Sequence, residues 1–99
     1  MKYINGLLLE IKTKYAVCIG KKDIYKLSTY ITGYTHAVFD LTGYKSPFWG
    51  EFQEFVQKKV GIEQTGKHWS ELLSMGRTQE EAFDLFYEYY EEFRDIKNN

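Results

Sequence analysis

The chain has 99 residues, of which 43% are hydrophobic and 27% charged, values that fit one globular domain spanning 1–99 and no second one. Aromatic residues make up 18%, including nine Tyr and seven Phe, enough buriable area for a core without disulfides or a structural metal. A net charge of −1 excludes a polycationic chain, and the lone Cys18 excludes an intramolecular disulfide.

Tyr3–Lys14 places Ile4, Leu7, Leu8 and Ile11 at i, i+3, i+4 and i+7, which predicts a helix, weakened at Gly6. Tyr15–Ile19 is a continuous apolar run that includes β-branched Val17 and Ile19 and stops at Gly20. It reads as an extended strap over the core. Asp23 is a helix N-cap candidate, and Ile24, Leu27, Ile31 and Tyr34 continue a helical period. Gly33, Thr32, Thr35 and Thr42 lower helix propensity there. An α+β alternative therefore stays open, in which 15–19 and 35–41 pair as a short two-stranded hairpin.

Thr42–Pro47 is the clearest loop. Ser46 and Pro47 then open a helix, with proline at its first position where the missing N–H costs nothing. Phe48, Phe52, Phe55 and Val56 form its apolar face; Lys58, Lys59 and Gly61 close it. Ile62–Lys67 is a connector. His68–Met75 is a short helix pointing Trp69, Leu72 and Leu73 inward, ended by Gly76.

Thr78–Phe93 carries the strongest helix signal. Thr78 and Glu81 have capping-box spacing, and Glu80, Glu81 and Asp84 favour the positive end of the helix dipole. At about 100° per residue, Ala82, Phe83, Leu85, Phe86, Tyr87, Tyr89, Tyr90, Phe93 and Ile96 occupy a broad apolar arc. So wide an arc predicts a helix at the centre of a bundle. The expected fold is all-α, a small single-domain bundle of four to five helices.

The opposite arc is acidic: Glu80, Glu81, Asp84, Glu88, Glu91, Glu92 and Asp95. Like-charge neighbours at i,i+4 cost an isolated helix ~1–2 kcal/mol over the set. Residues 1–60 carry a net charge of +4 and residues 78–99 a net charge of −5. That asymmetry predicts internal neutralisation, self-association or a charged partner.

No spacing points to chemistry. The eight glycines form no phosphate loop, and His36, His68 and Cys18 lack metal-ligand spacing. The acidic arc is convex and water-washed, the opposite of a cleft that drives carboxylate pKa values apart. The expectation is a non-enzyme without cofactor or metal. Dispersed lysines and only two arginines disfavour direct nucleic-acid binding. No run approaches a membrane span or a signal-peptide core, which with the single cysteine predicts a cytoplasmic protein. Tyr87, at the edge of the apolar arc beside acids, has the composition of an exposed protein-binding hot spot.

The segments Ile19-Gly20-Lys21-Lys22, Ile31-Thr32-Gly33-Tyr34, Phe52-Gln53-Glu54-Phe55-Val56, Trp69-Ser70-Glu71-Leu72-Leu73 and Glu81-Ala82-Phe83-Asp84-Leu85-Phe86 resemble a loose group of small, uncharacterised helical proteins of Gram-positive bacteria. Some of these are similar to immunity or antitoxin partners of bacterial toxins. The resemblance implies an intracellular helical protein without catalytic residues, names no toxin and carries over no site. The residues themselves suggest a protein-binding module that masks a basic surface of a partner, such as a toxin, with Glu80, Asp84, Tyr87, Glu88, Glu91, Glu92 and Asp95. A homodimer joining the basic and acidic regions of two copies is the second reading, and a small nucleic-acid binder the third.

Overall fold

The computed structural model describes residues 3–98, and five helices account for most of them. They are α1 (Ile4–Cys18), α2 (Ile24–Thr42), α3 (Phe48–Val60), α4 (Trp69–Ser74) and α5 (Gln79–Asn98). Among the described residues there is no strand, so the fold is all-α.

The caps lie close to where the sequence puts them. Asp23 Oδ1 accepts from the amides of Tyr25 and Lys26 at 2.9 and 3.1 Å. The Thr78–Glu81 capping box is closed in both directions, at 2.8 and 3.1 Å. Ser46 Oγ accepts from the Phe48 amide at the entrance to α3. Pro47 (φ −76°, ψ −7°) stands as the cap residue, so α3 begins at Phe48, one residue later than expected. At its other end the Ile62 amide reaches back to the Gln57 carbonyl at 2.9 Å while Gly61 takes φ 79°, a left-handed turn that glycine adopts without strain. Gln53 and Gln57 side chains bond the Lys67 and Glu63 carbonyls and so tie the connector to α3.

One expectation is corrected and one alternative is excluded. Tyr15–Cys18 is neither strap nor strand but the last turn of α1, following a single non-helical residue, Lys14 (φ −125°, ψ 34°). The apolar residues of 15–19 divide: Tyr15, Cys18 and Ile19 pack against the core, whereas Val17 is 87% exposed. The turn forms because Tyr15 packs edge-on against Phe83 at 5.9 Å and its carbonyl accepts the Ile19 and Gly20 amides. Thr35–Leu41 likewise belongs to α2, which runs through Gly33 without a break. Thr32, Thr35 and Thr42 donate their hydroxyls to carbonyls four residues earlier, which lets threonine sit inside a helix with its polar group satisfied.

α5 is the hub. Ala82, Phe83, Phe86, Tyr87, Tyr90 and Phe93 are buried along it. They meet Ile24, Leu27 and Ile31 of α2, Phe48, Phe52 and Val56 of α3, and Trp69, Leu72 and Leu73 of α4 in one core. α1 contributes Ile4, Leu8 and Ile11 to that core, and two tyrosines of α5 bond to it: Tyr87 donates to the Leu8 carbonyl at 2.8 Å and Tyr90 to Asn5 Oδ1. Ile96, at the far end of the predicted apolar arc, is instead 62% exposed, because the core ends at Phe93.

Candidate functional site: the acidic face of α5

α5 turns its carboxylates away from the core by the same periodicity that buries its rings. Glu80, Asp84, Glu88, Glu92 and Asp95 are exposed and Glu91 is half-buried. These six predicted site residues share one face. Tyr87, the seventh, does not join them. It is 5% exposed, its phenol pKa is pushed well above the ordinary value by burial, and its hydroxyl is committed to Leu8. The expected exposed hot spot is a core anchor, because the tyrosine hydroxyl finds a backbone acceptor inside the α1–α5 seam.

The face has counter-charges along its two edges. On the α1–α2 side Lys12 bridges Glu91, and Lys22 lies 3.2 Å from Asp84. On the α3 side Lys59 lies 2.7 Å from Glu92. The hydrogen bond and the charge of Asp84 raise the pKa of Lys22, and those of Glu92 raise that of Lys59. Lys59 also lies over the Tyr89 ring at 5.4 Å, so an apolar stem supports the charge. Lys97 serves another seam, 2.7 Å from Glu51 of α3.

The crest between these edges is different. Glu80 and Glu88 make no ion pair among the described residues, and Asp95 has only its neighbour Arg94, at 3.9 Å. Glu81 is drawn into the cap, and its hydrogen bonds with Thr78 lower its pKa. Seven carboxylates against Lys12, Lys22, Lys59 and Arg94 leave the face net negative by three.

Lys12, Lys22 and Lys59 are the residues that reading α5 alone misses. Their signal was the net positive charge of residues 1–60, which locates no individual partner. Among the described residues no group of His, Cys, Asp and Glu could hold a metal ion, and no helix is long and apolar enough to cross a membrane. No family model, curated protein or solved structure matches the chain.

Proposed function

We propose that the chain is a small protein-binding module of the immunity or antitoxin kind, which lays the acidic crest of α5 on a basic surface of a partner protein. The observation that carries this reading is the uneven distribution of counter-charge. Lysines from α1, α3 and the α1–α2 loop neutralise the edges of the face, while Glu80, Glu88 and Asp95 remain toward solvent. The edge pairs fix Asp84, Glu91 and Glu92 in place, so a partner meets a rigid negative ridge on the best-buried helix of the molecule. Such a ridge speeds encounter with an opposite charge and fixes its register more than it adds affinity.

The same pairing weighs against the homodimer reading. Lys12, Lys22 and Lys59 already neutralise acids of their own chain, which leaves less charge for a second copy.

The test uses the products of the genes encoded beside this one, co-expressed with it. A basic product should co-purify in a complex whose association slows as salt rises. The triple variant Glu80→Lys, Glu88→Lys, Asp95→Lys should lose the complex while circular dichroism shows unchanged helix content. A complex that survives the triple reversal refutes the proposal.

A further inference from the structure

A cleft on the other side of the molecule has no part in the acidic face. Its wide arm, about 510 Å³, lies between the C-terminal half of α2, the 43–47 turn and the start of α3. Phe39, Tyr44, Lys45, Trp49 and Gly50 line it. A narrow arm of about 200 Å³ adds His68 and Trp69, and the two arms share Thr32, Thr35 and Trp49.

Three features of this cleft agree. The first is an aromatic platform. Trp49 is stacked on Trp69 at 5.7 Å and held edge-on by Phe48 at 4.3 Å, while Phe39 across the arm is 49% exposed. The second is an unpaired donor. His68 Nδ1 accepts from the Ser70 amide, which puts the imidazole proton on Nε2, and Nε2 makes no hydrogen bond among the described residues. The threonine hydroxyls of the shared wall already donate to backbone carbonyls and offer the cleft only lone pairs. The third is charge: Lys45 lines the wide arm and no Asp or Glu lines either arm. Asp40 lies 3.9 Å from His36 but lines neither arm.

We propose that this cleft binds a small aromatic carboxylate. The ring of the ligand lies in the wide arm between Phe39 and Trp49. Its carboxylate accepts from His68 Nε2–H, with Lys45 supplying the attracting charge. Gly50 keeps the floor of the wide arm bare. A Cβ there meets nothing within 4 Å, so a larger side chain at this lining position leaves the core undisturbed.

The full chain labelled with ¹⁵N is titrated with benzoate, benzylamine and acetate while the two indole N–H signals are followed. Trp49 and Trp69 are told apart by their through-space contacts to Phe48 and Phe86. Benzoate should move the Trp49 signal saturably; acetate, without a ring, and benzylamine, with the wrong charge, should bind at least roughly tenfold more weakly. Gly50→Leu should remove the benzoate response while the chain melts no lower than the parent. A Trp49 signal unmoved by benzoate up to about 50 mM, a millimolar affinity at best, overturns the proposal. An equal response to benzylamine, or full binding by Gly50→Leu, does so too. If that variant fails to fold, the three-probe comparison on the unaltered chain decides.

Discussion

Tyr87 shows how a single side chain changes meaning between sequence and structure. It lies at the border of the apolar arc of α5, beside acids, and composition alone makes it a contact residue. The border is where α1 crosses, and Leu8 presents a carbonyl at 2.8 Å, so the hydroxyl is drawn inward. Its loss can therefore be divided. Tyr87→Phe removes only the hydrogen bond and should cost about 0.5–1.5 kcal/mol in denaturant unfolding. Tyr87→Ala also removes a ring packed against Phe83 and Phe86 and should cost about 3–5 kcal/mol. Neither cost would depend on salt. If Tyr87→Phe were neutral and the alanine variant no worse than about 1 kcal/mol, the residue would be peripheral and the seam would be held elsewhere.

At the scale of elements, legibility followed the caps. α5 was legible because Thr78 and Glu81 close a box whose geometry depends on local spacing alone. α2 and α3 were legible at their starts for the same reason, through Asp23 and Ser46. The end of α1 was not, since a β-branched apolar run looks alike whether it is extended or helical. The contacts that hold it as a turn are tertiary, such as the one between Tyr15 and Phe83, 68 residues away. The threonines of α2 misled for a related reason: propensity counts their competition with the backbone, whereas in place their hydroxyls satisfy carbonyls of the same helix. The cleft beside Trp49 was illegible because its walls come from α2, the 43–47 turn, α3 and α4. The cap has a measurable worth. Thr78→Ala should lower stability by about 1 kcal/mol, and Thr78→Ser should recover most of it. Two equally stable variants would mean that burial alone starts α5.

For the whole molecule, the question is what offsets the like-charge ladder on α5, and the answer divides the ladder in two. Asp84, Glu91 and Glu92 each have a lysine supplied by another part of the chain, so their repulsion is answered by tertiary structure. Glu88 forms no ion pair among the described residues and only feels Lys59 at longer range, while it repels Asp84 and Glu92 one turn away on either side. Reversing charge at the two kinds of site should therefore move stability in opposite directions. Asp84→Lys and Glu91→Lys set a lysine against Lys22 or Lys12 and should lower the melting temperature. Glu88→Lys removes both repulsions and should leave it equal or higher. The contrast should narrow in about 1 M NaCl, where the Debye length falls to ~3 Å. Equal destabilisation by all three would mean that the lysines are bystanders and the face behaves as a uniform surface. The opposite signs would mark Glu88 as an acid that the fold gains no stability from, as the proposed contact role requires.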